Sequence, residues 1–276
     1  MMKQEKLILP LLLCALMLVV VLGVTINKNK SKPTAIITEN GSITEINHEI
    51  IVGEKRIDSM REAYDLKSMI SGESKTGLTY HSCIFQGIVE DFREYEVSWK
   101  DETYGDIRGP FSRTIIDVKL TKDSEDVAKK AGEIVKVLVT NSLSFEEENS
   151  IRMEKGQEYI FINCWLLDEL YRQNSIECGS DSVGNDKSLD LADVIVGPFW
   201  NSLIPVNNDI CLVYHEFIAG SNLKALTDQT AEQQSFSEKV LTVAKDSPQE
   251  EFIYLSTGDV LSYIKELIQE YRITKN

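Results

Sequence analysis

The 276-residue chain is 42% hydrophobic and 26% charged, the composition of a globular protein rather than a disordered or collagen-like one. Its formal charge is −15, and once residues 1–30 are set aside, 25 basic and 43 acidic side chains remain. Such a surface repels phosphate backbones and no Lys/Arg cluster relieves it, so nucleic acid is excluded as the expected partner.

Residues 1–6 form a short basic region with Lys3 and Lys6, and residues 7–26, LILPLLLCALMLVVVLGVTI, contain no charge. Twenty apolar residues suffice to cross a bilayer core as a helix, and a basic start followed by an apolar run reads as an export signal. A lipoprotein signal is rejected, because Leu13 rather than a small residue precedes Cys14. Cleavage after Gly23 would release the chain, whereas the run length favours an uncleaved anchor. Lys28, Lys30 and Lys32 on the far side of the run oppose the positive-inside rule. The expected location is nevertheless the cell membrane, single-pass, with the globular part outside.

Residues 27–35 are a polar stalk. Residues 36–81 carry short strands around the tight-turn pair Asn40-Gly41, then a packing helix. Ile57, Met60, Tyr64, Leu66 and Ile70 are spaced for that helix, and Gly72 stops it. Asn40-Gly41-Ser42 also matches a glycosylation sequon, though the turn alone accounts for it.

From residue 82 the period changes. CIFQGIVEDF and YEVSWK are rich in β-branched and aromatic residues. In SRTIIDVKL, Thr114, Ile116, Val118 and Leu120 share one face, the pattern of a half-buried strand. Residues 125–131 start as a short helix that gives way after Gly132 to a strand from Ile134 to Val139. Gly156 ends a turn, and Tyr159, Phe161 and Asn163 then alternate with Ile160, Ile162 and Cys164. ADVIVGPFW and DICLVYHEF add further strands. Five principal strands are expected between Cys83 and Phe217, which suggests a barrel or sandwich. Residues 218–276 read as a helical extension ending in an amphipathic helix. Ser256 or Thr257 caps that helix, and Val260, Leu261, Ile264, Leu267, Ile268 and Tyr271 form its buried face.

The run of motifs resembles a known group. Gly87-Ile88-Val89 opens a first strand, a Thr-rich strand follows at 114–119, Gly132-Glu133 steps into a third, and Lys155-Gly156-Gln157-Glu158-Tyr159 enters a fourth. This order resembles exported bacterial proteins with an oligonucleotide/oligosaccharide-binding (OB)-like barrel of the netrin and tissue-inhibitor type. The resemblance spans residues 82–217. It implies a mainly β, α+β fold: an OB-like five-stranded barrel, an N-terminal hydrophobic helix and a C-terminal amphipathic helix. Protease inhibition in that group uses an N-terminal Cys, and Cys83 is not one, so that activity is not carried over. Nucleic-acid binding in the group uses a basic groove, which this acidic chain lacks.

No motif demands catalysis. The three histidines are His48, His81 and His215, and HEFIA at His215 lacks the second His of HExxH. GSDSVG lacks the spacing of a serine-hydrolase elbow. Cys164 could pair with His81 or His215, but its alternating strand beside Trp165 is the setting of an inert thiol. The Asp181–Asp190 loop and FEEEN at 145–149 read as solvated acidic loops rather than calcium ligands. No metal and no cofactor is expected. Cys83, Cys164, Cys178 and Cys211 are disulfide candidates, with three pairings open. Phe199, Trp200 and Leu203, between Pro198 and Pro205, are the candidate contact residues, but a plug in the barrel end is the favoured reading. The expected function is a non-catalytic, membrane-tethered binding module for a protein or small ligand. The alternatives are a cell-envelope hydrolase with a scattered site and a structural component of a cell-surface assembly.

Overall fold

The computed structural model describes residues 35–38, 41–46, 55–57, 66–67, 82–101, 104–147, 150–169, 186–197, 202–226, 230–242 and 252–275. The apolar run at 7–26 and most of the helix expected near 57–70 lie outside them, as do His48, His81, Cys178, Phe199 and Trp200. The early strands are β1 (Ala35–Thr38), β2 (Gly41–Ile46), β3 (Lys55–Ile57), β4 (Ser82–Lys100) and β5 (Ile107–Leu120). Next come β6 (Ile134–Val139), β7 (Phe145–Glu147), β8 (Ser150–Ile151), β9 (Glu158–Leu166) and β10 (Val194–Val196). β11 (Leu203–Asn207) and β12 (Ile210–Tyr214) precede helix α1 (Ala231–Val240), and β13 (Leu241–Thr242) and β14 (Phe252–Ser256) precede helix α2 (Thr257–Lys275). The class is mainly β, with helices α1 and α2 accompanying the strands among the described residues.

Ten strands form one sheet in the order β1-β2-β4-β5-β6-β10-β9-β11-β12-β14. Every neighbouring pair is antiparallel except β6–β10, which is parallel. β9 also pairs with β4, so the ladders β4–β5–β6–β10–β9 return to their starting strand. The length of β4 makes this possible. Its first half, Ser82 to Ile88, pairs with β9, and its second half, Glu94 to Trp99, pairs with β2. Register shifts at Val89/Asp91 and Val97/Trp99 bend and twist it between these tasks. At Gly87 β4 lies close against β5: a Cβ there would stand 2.6 Å from the Lys119 carbonyl oxygen.

The main core joins residues of this circuit to those of the β11–β12–β14 wing and of both helices. Phe85 and Phe161 stack at 4.7 Å with planes 8° apart across the β4–β9 ladder, and Tyr159 meets Phe161 edge-on. Such pairs add about 0.5–1.5 kcal/mol to the burial itself. The Tyr159 hydroxyl donates to the Arg152 carbonyl at 2.7 Å and accepts from the Glu154 N–H at 2.9 Å, so its burial leaves nothing unpaired. A second, smaller cluster joins Ile43, Tyr95, Val97, Trp99 and Ile115 to Leu138 and Leu189.

Several expectations change. CIFQGIVEDF and YEVSWK are one strand, because the two residues between them, Arg93 and Glu94, keep ladder partners Ile115 and Thr114 on β5, and Glu94 is buried despite its charge. Nine strands rather than five lie between residues 82 and 217 among the described residues. The segment 125–131 is not helical. Ser124 and Lys129 form an isolated bridge, and Ala128 takes a left-handed conformation with φ 52°. β5 is buried on both faces over Thr114–Ile116, because Ile115 packs into the second cluster. The C-terminal extension is not wholly helical, since β14 adds a strand to the outer edge of the sheet beside β12. α1 begins with a complete capping box between Thr230 and Gln233. In α2, Val260, Ile264 and Leu267 are buried as their spacing requires, and the Asp259 N–H donates to Ser256 Oγ.

Candidate functional site

The β4–β5 hairpin runs beyond the strand circuit and, with β1 and β2, forms a four-stranded arm. Ile36, Ile43, Val97 and Phe111 stand in one cross-strand row over the four strands. The inner two are buried, whereas Ile36 and Phe111 at the ends of the row are exposed. On the other face of β1, Ile37 is 79% exposed, and at the hairpin end Tyr104 and Ile107 are 71% and 66% exposed. Solvated β-branched and aromatic side chains gathered on one arm are what an interaction surface presents. β1 is also the last strand of its sheet, and among the described residues it pairs only with β2. Its outer backbone groups therefore form a ladder edge that no described residue covers.

Cations stiffen this arm. Trp99 and Phe111 stack at 4.6 Å, and the Arg113 guanidinium lies 5.9 Å and 5.6 Å from their centroids. Arg113 Nε donates to Asp186 Oδ2 at 2.9 Å, and its Nη1 donates to the Ser112 and Thr140 carbonyls. Asp186 in turn accepts from the Ser188 N–H and hydroxyl, capping the short 3-10 helix Lys187–Leu191. That pair fastens the arm to the 186–192 segment, whose Leu189 fills the second cluster. Farther out, Arg108 Nε donates to Asp101 Oδ2 at 2.9 Å, and Arg108 lies 5.6 Å from the Tyr104 centroid.

A concavity lies between α2 and residues 220–224. It has a volume of about 580 Å³ and is lined by Lys67, Lys224, Asp259, Tyr263, Glu266 and Glu270 among others. Both signs of charge face this groove, which can hold a small polar ligand. Ser221 and Ser262 also line it, and it contains no His or Cys among the described residues.

No family model, curated protein or solved structure matches the chain.

Of the candidates read from sequence, Leu203 is a β11 residue opposite Phe161, 1% exposed and part of the main core. Cys83, Cys164 and Cys211 are buried and unbonded in the structure, which therefore shows the reduced form of the chain. Burial pushes the Cys211 thiol up to about 12, and it pushes those of Cys83 and Cys164 well above the thiol range. Buried thiols of this kind are poor nucleophiles. His215 is exposed at the start of the 3-10 helix His215–Ile218. Asp186, in the acidic loop, serves as a cap and ion-pair partner. Among the described residues no group of three His, Cys, Asp or Glu could hold a metal ion, and no helix is long and apolar enough to cross a membrane. The arm was missed in sequence because its exposed residues lie far apart in the chain, at 36–37 and 104–111. Only the register brings them together.

Proposed function

We propose that the chain is a non-catalytic binding module, exported and tethered to the membrane through residues 7–26, which holds a protein partner on the β1–β2–β4–β5 arm. The observation that carries this reading is the open edge of β1 flanked by exposed Ile36 and Ile37. An extended segment of a partner can add to such an edge, taking affinity from main-chain hydrogen bonds and specificity from alternate side chains. The ladder circuit supports an OB-like barrel beneath the arm. Three antiparallel strands (β4, β5, β6) lead on, the third runs parallel to the fifth (β10), and the fourth (β9) closes on the first. The apolar run at 7–26 and the basic residues before it support export.

Protease treatment of intact cells, with mass measurement of the mature chain, tests location and tether together. The expected result is digestion of residues beyond 30 with the apolar run retained in the membrane; protection of the whole chain refutes export. Binding is tested by chemical crosslinking of the native complex in cells carrying Ile37→Lys. The substitution places a charge on the open edge without touching the core, and loss of a crosslinked species with normal chain abundance is expected. Identical crosslinking in variant and parent contradicts the edge as the contact.

A further inference from the structure

Four cysteines outside the apolar run leave three pairings open, and the strand register selects among them. β4 and β9 are antiparallel with Cys83 directly opposite Cys164. Directly opposed residues in such a ladder have Cα atoms about 4.5 or 5.5 Å apart, depending on the kind of pair, and side chains on one face. A disulfide spans Cα separations of about 4.4–6.8 Å, so either kind of pair can be bridged. Both residues are fully buried in the same core cluster. Cys211 is placed differently: its ladder partners are Val206 and Leu255, although its thiol donates to a strand carbonyl, Leu255, as the reduced Cys164 thiol does to Ile162. No cysteine stands opposite it among the described residues.

We propose that Cys83 and Cys164 are the two halves of a cross-strand disulfide, made while the exported chain folds by exchange with the disulfide of an oxidoreductase or of a small thiol. The Cys83 thiolate attacks the donor disulfide, forming a mixed disulfide and releasing one donor thiol. The Cys164 thiolate then attacks the Cys83 sulfur and expels the second donor thiol. The cysteines lose two electrons and two protons, and the donor disulfide takes up both.

Burial fixes the order of events. In the closed sheet, burial pushes the Cys83 thiol up, with Asp126 adding to the effect, and burial acts likewise on Cys164, with Cys83 adding there. Neither is then a thiolate at neutral pH, so exchange belongs to the folding chain and not to the finished fold. The turn at 124–129 is tied beside the pair: the Ile84 N–H donates to Asp126 Oδ2 and Ser124 Oγ donates to the Ile84 carbonyl. Once made, the bond is shielded from soluble reductant.

The inference rests on the proposed export only for its source of oxidant, and two arms of one experiment separate them. Full chain taken from cell membranes is alkylated under denaturing conditions, digested without reduction and sequenced by mass spectrometry. Reduced full chain is refolded in detergent with mixed oxidised and reduced glutathione and treated identically. A Cys83–Cys164 linked peptide in both arms, lost on reduction, is the expected result. The link after refolding with alkylated thiols in cells keeps the pairing and sinks the export reading. Alkylated Cys83 and Cys164 in both arms, or Cys83 joined to Cys178 or Cys211, overturns the pairing.

Discussion

Replacing Gly87 with Ala tests whether the β4–β5 approach that closes the strand circuit is as tight as the structure requires. The added Cβ would stand 2.6 Å from the Lys119 carbonyl oxygen and 2.7 Å from Val118 Cγ1, well inside the 3.4 Å of ordinary contact. Neither neighbour can retreat easily. Val118 is fully buried, and β5 is held by β4 on one side and β6 on the other. Forcing a methyl group into a packed core costs about 1–3 kcal/mol, and a weakened ladder hydrogen bond adds about 1 kcal/mol. The stiffer unfolded chain returns about 0.4–1 kcal/mol, which leaves a net destabilisation of about 1–3.5 kcal/mol, centred on about 2 kcal/mol. Urea slopes of about 2–3 kcal/mol/M convert that into a midpoint lower by about 1 M. The assay is urea unfolding of the full chain in mild detergent, followed by tryptophan fluorescence. Gly258→Ala is the control: the nearest atom to its Cβ is Ser256 Oγ at 3.7 Å, and the site lies in α2. That variant should be neutral or stabilised by up to about 1 kcal/mol. An unchanged midpoint for Gly87→Ala, or equal shifts in both variants, refutes the reasoning.

Three further outcomes are expected. Asp186→Ala leaves the Arg113 guanidinium buried without its carboxylate, with side chains only 12% and 7% exposed. It should cost about 3–5 kcal/mol, while the double variant Arg113→Met/Asp186→Leu should lose less in the same urea titration. At Asp91, burial alone would raise the carboxyl, but the Lys155 hydrogen bond, the Phe92 N–H and Arg93 outweigh it and hold it below its ordinary value. A lowered carboxyl contributes stability above the unfolded value and loses it as pH falls through the folded one. An NMR titration should therefore find the Asp91 midpoint below that of a free aspartate, and Lys155→Gln should move it upward. Cys83→Ser should lower stability by about 4–5 kcal/mol when the disulfide is present, the loop-closure value for residues 83–164, and far less in reduced protein.

Local chemistry made part of this molecule legible in its sequence. The alternation of Thr114, Ile116, Val118 and Leu120 marks β5 because every second residue enters the core. The helical spacing of Val260, Ile264 and Leu267 likewise marks the buried stripe of α2. What escaped depends on tertiary partners. β14 is only five residues long and becomes a strand by pairing with β12. Asn163 breaks the alternation of β9 with φ 51°, opposite the register shift in β4, and nothing in its neighbours announces that bulge. The turn at 124–129 carries helix-forming residues but is set by the Ser124–Lys129 bridge. The candidate site was the least legible part, because an edge strand is defined by the neighbour it lacks. Leu203, for which core rather than contact patch is the favoured reading from sequence, is drawn inward because β11 docks against β9.

The central claim is that the open edge of β1 is where a partner sits, outside the membrane. Photo-crosslinking in intact cells tests it most directly, with a photoreactive amino acid replacing Ile37 in one strain and exposed Glu125, away from the arm, in another. The account predicts one discrete adduct from position 37, none from 125, and its removal by protease added to intact cells. Equal adducts from both positions, or none from 37 at normal chain abundance, would contradict it.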